Sequence, residues 1–203
     1  MIVSKLKLYN MEMCDSLEQV ISILNTDLHE HNMSKISKES NKKGRALISP
    51  KSLNAGYSRL FKKQGFVKHR PFKDTSCEID FFKDGIGIEI QLGKYAYVIY
   101  DIYAKLRPCF FNDTLKFGVE VLPTKVMYDK MSNGVANFET EIKKLDRCSI
   151  DFPLAVLGVE PTNEIELPSL EHLFSTDERL SYKENNRAER IRNQRLDPLE
   201  DLI

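Results

Sequence analysis

Between Glu78 and Lys94 the chain reads Glu78-Ile-Asp80-Phe-Phe-Lys-Asp84-Gly85-Ile-Gly-Ile-Glu89-Ile-Gln91-Leu-Gly-Lys94, two apolar runs separated by an aspartate–glycine pair. That dipeptide between apolar runs predicts a β-hairpin. Side chains alternate faces along a strand, so Glu89 and Gln91 should project to one side while Ile88 and Ile90 project to the other, toward a core. A carboxylate buried in this way is costly unless it is paired or bound to a cation, and a divalent ion shared with Asp80 would supply that compensation. The competing reading makes Asp80 and Glu89 surface acids on a two-sided hairpin without chemistry.

With 203 residues, 41% of them hydrophobic, the chain can bury a proper core, and its length predicts one domain with an appendage. No apolar run approaches the roughly 20 residues that span a bilayer, and Met1 to Leu8 is too charged to begin a secretory signal. A soluble protein of the cytoplasm is therefore expected. Cys14, Cys77, Cys109 and Cys148 are scattered singly, without the C-x-x-C spacing of zinc or redox sites, and are read as free thiols.

A formal net charge of zero argues at first against a nucleic-acid partner, since neutralising phosphates takes an excess of lysine and arginine. The distribution says otherwise. Residues 1–75 hold 14 basic and 7 acidic side chains, residues 76–161 hold 10 and 13, and residues 162–203 hold 6 and 10. The basic excess includes Lys35, Lys38, Lys42, Lys43, Arg45 and Lys51, and runs on through Arg70 and Lys73. The middle third, where a metal site would want negative charge, is acidic. A basic run of this kind is also what an ordinary solvated face presents.

Apolar spacing at Leu17, Val20, Ile21, Leu24 and Leu28 predicts a helix from about residue 16 to 28. The polar stretch from His29 to Gly44 reads as an exposed, mobile loop. Ser49-Pro50 has the form of an N-cap with proline in the first turn, opening a helix to about Lys63 that Gly65 ends. Tyr95 to Phe111 fits a buried helix better than a strand on length and on its stop at Pro108, although its tyrosines and isoleucines favour a strand. Lys116 to Leu122 and Phe152 to Val159 read as buried central strands, with a polar loop at Met131 to Gly134 and a helix from about Val135 to Leu145 between them. Strand and helix alternating in this order predict an α/β sheet with helices on its faces. Residues 162–203 turn acidic and then arginine-rich with few apolar anchors, which marks an appendage; a helix is expected around Asn186 to Leu196.

The run DFFKDGIGIEIQLGKYAYVIYDIYAK, with Asp80, Glu89, Gln91 and then Gly93-Lys94-Tyr95, resembles the active-site segment of the BglII/BstYI group of Type II restriction endonucleases, the BstYI branch being the nearer. LISPKSLNAGYSRLFKKQGF (Leu47 to Phe66), FGVEVLPTKVMYDKMSNGVANFETEI (Phe117 to Ile142) and LAVLGVEP (Leu154 to Pro161) resemble the helix before that segment, the strand, loop and helix after it, and the closing strand. The resemblance covers roughly residues 45–161. Gln91 departs from the lysine usual in the broader PD-(D/E)xK superfamily and is a signature of this group.

The resemblance implies a restriction-endonuclease-like α/β fold, a mixed central sheet flanked by helices. Residues 1–161 would form the catalytic and DNA-binding domain, and residues 162–203 a solvated tail or a strap across the dimer or the DNA. Asp80, Glu89 and the main-chain carbonyl of Ile90 would hold Mg²⁺, and Gln91, an amide that cannot ionise, would position the attacking water. Glu78 would stand near enough to touch the metal through water. Lys94 would read a guanine, Ser132 and Asn133 other base edges, and Lys42, Lys43 and Arg45 would sit on phosphates as the segment Ser34 to Arg45 wraps the duplex. The substrate would be double-stranded DNA with a palindromic site centred on GATC (RGATCY or AGATCT), cut on both strands by a homodimer to leave 5′-phosphates. The cognate methyltransferase would act on the same site without stable association. Two other readings compete: a nuclease of the same fold acting on repair or recombination intermediates, and a non-catalytic DNA-binding module.

Overall fold

The computed structural model describes residues 1–26, 28, 34–40, 42, 44–72, 77–93 and 97–162. In chain order the elements are β1 (Ile2–Tyr9), α1 (Asp15–Leu24), β2 (Ser34–Ile36), β3 (Ala46–Ile48), α2 (Pro50–Lys63), β4 (Val67–His69), β5 (Ile79–Lys83) and β6 (Ile86–Ile90). A helical run follows: α3 (Val98–Tyr100), a π-helical segment (Asp101–Leu106) and α4 (Arg107–Phe111). Then come β7 (Phe117–Pro123), α5 (Lys125–Asp129), α6 (Phe138–Leu145) and β8 (Leu154–Glu160).

Six strands form one sheet in the order β1-β8-β7-β6-β5-β4, and β2 pairs with β3 separately. The sheet is mixed: β6, β7 and β8 run parallel, while β1, β5 and β4 join antiparallel. The expected α/β architecture is therefore present. Asp84 and Gly85 both take positive φ, 52° and 85°, the backbone a two-residue hairpin turn requires, and they join β5 to β6.

Alternation along the three parallel strands splits the core in two. Ile86, Ile88 and Ile90 of β6, Val119 and Val121 of β7, and Ala155, Leu157 and Val159 of β8 pack with Leu17, Val20 and Leu24 of α1 and Leu53, Tyr57 and Phe61 of α2. The opposite face carries Leu122, Leu154 and Val156, covered by Val98, Ile102, Leu106 and Cys109 of the helical run and by Phe138 and Leu145 of α6. Gly87 and Gly118 are partners across β6 and β7 on this second face. A Cβ at Gly87 would lie 2.9 Å from Leu115 and 3.2 Å from Leu106, and one at Gly118 would lie 3.0 Å from Leu106. Their bare backbone lets Leu106 bring the helical run close to the sheet.

The expected Ser49 cap of α2 is present, its side chain accepting from the Ser52 amide, and Gly65 at φ 83° closes the helix. The helix expected from about residue 16 ends at Leu24, and the one expected from Val135 begins at Phe138, where Asn137 caps it by accepting from the Thr140 amide. The helix over Tyr95 to Phe111 starts at Val98 and contains the π-helical segment. Within the stretch His29 to Gly44, the described residues 34–37 differ from the exposed loop expected there. Residues 34–36 pair with β3, Ile36 and Ser37 are buried, and the Ser37 amide donates to the Arg45 carbonyl at 2.8 Å. Backbone pairing and one isoleucine outweigh the polar composition there. All four cysteines are free thiols. Among the described residues no helix is long and apolar enough to cross a membrane. The expected appendage, 162–203 with its helix, lies outside the described residues except for Thr162.

Candidate active site

The hairpin β5–β6 places the two acids together. Its register pairs Phe81 with Ile88 and Phe82 with Gly87, and continued one step it sets Asp80 opposite Glu89 on the same face. The Ile90 amide donates to Asp80 Oδ2 at 3.2 Å, which pins that carboxylate to the end of β6. Glu89 is buried on the face turned away from Ile88 and Ile90, as the alternation requires. Surface acids on a two-sided hairpin are therefore excluded for Glu89. Gln91 continues β6 alongside β7 through its amide, which donates to the Val121 carbonyl at 2.9 Å.

The helical run closes over this face. Lys105 Nζ lies 2.6 Å from Asp101 Oδ1 and 3.2 Å from Glu89 Oε2, and Gln91 Nε2 donates to Asp101 Oδ2. Glu120 stands beside Glu89 in the β6–β7 register, so both side chains share the face under the helix. π-Helical turns of this kind recur at functional sites, because the wider turn re-aims side chains that an α-helix would distribute differently.

Burial dominates the electrostatics. It pushes the Glu89 carboxyl up to about 9, with the neighbouring charge of Asp80 adding and Lys105 opposing. Asp101 is raised for the same first reason, against the pull of its bond to Lys105. Glu120, wholly buried, is raised well above the ordinary carboxylate range by desolvation and then by Asp101 and Glu89. Burial pulls the Lys105 ammonium down, but the hydrogen bond to Asp101 and the charge of Glu89 outweigh it and hold the group protonated.

Glu89 Oε1 is buried with no hydrogen-bond partner, and so are both oxygens of Glu120. An orphaned carboxylate oxygen on the strand residue opposite Asp80 is what a cation would satisfy. Among the described residues no three His, Cys, Asp or Glu side chains are grouped to cage a metal by themselves. Two carboxylates with one main-chain carbonyl are an all-oxygen donor set of the kind a hard divalent cation takes.

Other expected residues are placed as follows. Glu78 pairs with Lys68 at 2.6 Å and Arg70 at 3.1 Å. Ser132 is buried at 2% exposure, and the Asn133 amide donates to Glu39 Oε2 at 3.0 Å. Lys42 Nζ donates to the Met131 carbonyl at 2.7 Å, so the β2–β3 connection and the Ser132–Asn133 loop are joined. Arg45 is exposed beside Gly44, and Lys43 and Lys94 lie outside the described residues.

Asp101, Lys105 and Glu120 were not singled out from the sequence. Asp101 and Lys105 carry a local signal, an acid four residues before a lysine on one helix face. Glu120 carries a plainer one, an acid inside the apolar run Phe117 to Leu122.

No curated protein matches the chain significantly. Its fold is similar to that in the crystal structure of restriction endonuclease BglII complexed with a DNA 16-mer, with a TM-score of 0.65 and 17% identity over 79% of this chain and 77% of that one. Free BglII is similar at a TM-score of 0.51 and 15% identity, over 79% and 81%. The model of the family described as restriction endonuclease BglII/BglIII matches residues 7–159, a span that runs from β1 into β8 and takes in every residue of the cluster around Glu89. The chain belongs to the BglII/BglIII family of restriction endonucleases.

Proposed function

We propose that the enzyme cleaves both strands of a short palindromic DNA site, centred on GATC and flanked as RGATCY or AGATCT, by Mg²⁺-dependent hydrolysis that leaves 5′-phosphate ends. The observation that carries this reading is the pair Asp80 and Glu89 brought together by the β5–β6 hairpin, with Glu89 Oε1 buried and unpartnered.

Asp80, Glu89 and the carbonyl of Ile90 would hold the ion. A cation held there would supply charge neutralisation at the scissile phosphate and make the attacking water more acidic. Gln91 orients. Its NH₂ is committed to the Asp101 carboxylate, which can only accept, so Oε1 is left to receive a hydrogen bond from the attacking water. An amide is no base at neutral pH, so the water's proton passes to solvent or to a substrate phosphate oxygen. In-line attack at phosphorus breaks the P–O3′ bond, and the leaving oxygen takes a proton from solvent water, giving a 3′-hydroxyl and a 5′-phosphate.

Base reading falls to Lys94, directly after the catalytic strand, and to Ser132 and Asn133. Lys42, Lys43 and Arg45 take phosphates. The bond from Lys42 to the Met131 carbonyl supports a coupled movement of the two segments on DNA, which would also bring the buried Ser132 hydroxyl to a base edge. A palindrome calls for two-fold symmetry, hence a homodimer in which each subunit cuts one strand. Residence in the cytoplasm, where the DNA substrate is, completes the reading.

Incubating the purified protein with unmethylated plasmid and Mg²⁺, then sequencing the fragment ends, tests it. Discrete ends at one GATC-centred palindrome are expected. Ends set by branched or flapped DNA would instead indicate a structure-specific nuclease, and intact plasmid with retained binding a non-catalytic module. Glu89→Ala should abolish cutting while folding and specific binding in Ca²⁺ persist.

A further inference from the structure

The acidic cluster has a cation of its own. Glu89 and Asp101 come from different elements, one from β6 and the other from the π-helical segment, and both make their ion pair with the same ammonium, Lys105 Nζ. That side chain is 15% exposed and reaches the strand because Leu106, its chain neighbour, seats against Gly87 and Gly118. Asp101 uses its two oxygens separately, Oδ1 toward Lys105 and Oδ2 toward Gln91. Lys105 is thus bonded to Glu89 directly and linked to Gln91 through one carboxylate.

We propose that Lys105 is a positioning residue of the nuclease site, pairing with Glu89 until a metal takes its place there and holding Gln91, through Asp101, in the arrangement that receives the attacking water. This rests on the function proposed above and deepens it. Gln91 is neutral, so the strand motif brings no positive charge to a site that must admit a phosphate beside Asp80, Glu89 and Asp101. Lys105 brings one, from a helix. Without it, Glu89 and Asp101 would face each other unscreened in a poorly solvated cleft, and Asp101 could turn away from the Gln91 amide.

The geometry gives opposite signs for two measurements, which a purely structural role would not. Lys105 competes with a metal ion for Glu89, so Lys105→Met leaves a more negative site that binds Mn²⁺ alone more tightly, by about tenfold in calorimetric titration without DNA. The same variant loses single-turnover cleavage in saturating Mg²⁺ by roughly 10²–10³-fold, the scale of removing one preorganised charged donor. Gln91→Lys combined with Lys105→Met returns a cation to Asp101 from the strand side and should recover part of the lost rate.

Weakened or unchanged Mn²⁺ binding in Lys105→Met overturns the proposal, as does wild-type cleavage by that variant. If Lys105→Met does not fold, the double variant decides. Recovered folding with measurable cleavage supports the proposal, whereas persistent unfolding, or a folded protein that does not cut, overturns it. A wild-type protein that cuts no DNA sinks the nuclease reading by itself, and the Mn²⁺ titrations still judge Lys105.

Discussion

Glu120 should be a net burden on the stability of this fold, and replacing it with leucine tests that directly. It sits on β7, flanked by the parallel strands β6 and β8, is fully buried, and neither of its carboxyl oxygens has a hydrogen-bond partner. Burial raises its pKa well above the ordinary range, so the folded protein keeps a proton there that the unfolded chain releases above about pH 4.5. The sign follows. Where the unfolded state binds fewer protons, stability falls as pH rises, so this contribution is fully present below the unfolded pKa and is lost on the way to the folded one. The slope is at most about 1.4 kcal/mol per pH unit for one proton, and the penalty accumulates over the interval between the unfolded pKa and the raised folded one. The unpaired polar atoms add about 1–3 kcal/mol. Leucine has similar volume, no charge and no polar atoms, so Glu120→Leu should be the more stable protein at neutral pH, with an advantage that grows with pH. Urea unfolding of both proteins without metal at pH 5.5, 6.5, 7.5 and 8.5 measures this. Parallel stability curves, or a variant weaker at every pH, would show that Glu120 is compensated in the fold and would refute the reasoning.

Gly87→Ala should destabilise by about 1–3 kcal/mol in the same assay, because the new methyl would meet Leu115 at 2.9 Å and Leu106 at 3.2 Å in a packed layer. It should also slow cleavage, since Leu106 sets the height of Lys105 over Glu89. Asn137→Ala removes the cap of α6 and should cost about 1 kcal/mol without changing cleavage at saturating Mg²⁺. Lys42→Ala should weaken DNA binding measured in Ca²⁺ and lower the slope of log affinity against log salt by about one, the signature of one lost phosphate contact; an unchanged slope would confine Lys42 to its bond with Met131. Asp101→Asn can offer its NH₂ to Gln91 and so releases the amide from its one orientation, which should slow single-turnover cleavage about tenfold or more while DNA affinity holds.

How much was legible in advance depends on the range of the interaction. Asp84-Gly85 forces a hairpin by backbone preference alone, and once the hairpin forms, period-two alternation decides that Glu89 turns away from Ile88 and Ile90. The Ser49 cap and Gly65 stop of α2 are likewise local. The edge strands were not anticipated. β1 is half exposed and carries Lys5 and Lys7, and β4 has only three residues with Val67 and Lys68 exposed, so neither has the apolar pattern that announces a buried strand. Polar composition likewise hid β2, whose place comes from pairing with β3 and not from its own side chains.

From the sequence by itself came an α/β sheet and the acid-bearing hairpin with Asp80, Glu89 and Gln91, because both rest on short-range periodicity and turn chemistry; the family came from the resemblance of four segments between residues 45 and 161. Tertiary structure alone decided which further charges meet them. Asp101 and Lys105 lie 12 and 16 residues after Glu89, and Glu120 lies 31 after it. They converge only because the parallel pairing of β6 with β7 sets Glu120 beside Glu89, and because Gly87 and Gly118 let a π-helical segment settle onto that face. Register between distant strands and the approach of a helix to a sheet are set by packing of the whole core, and no local pattern encodes them.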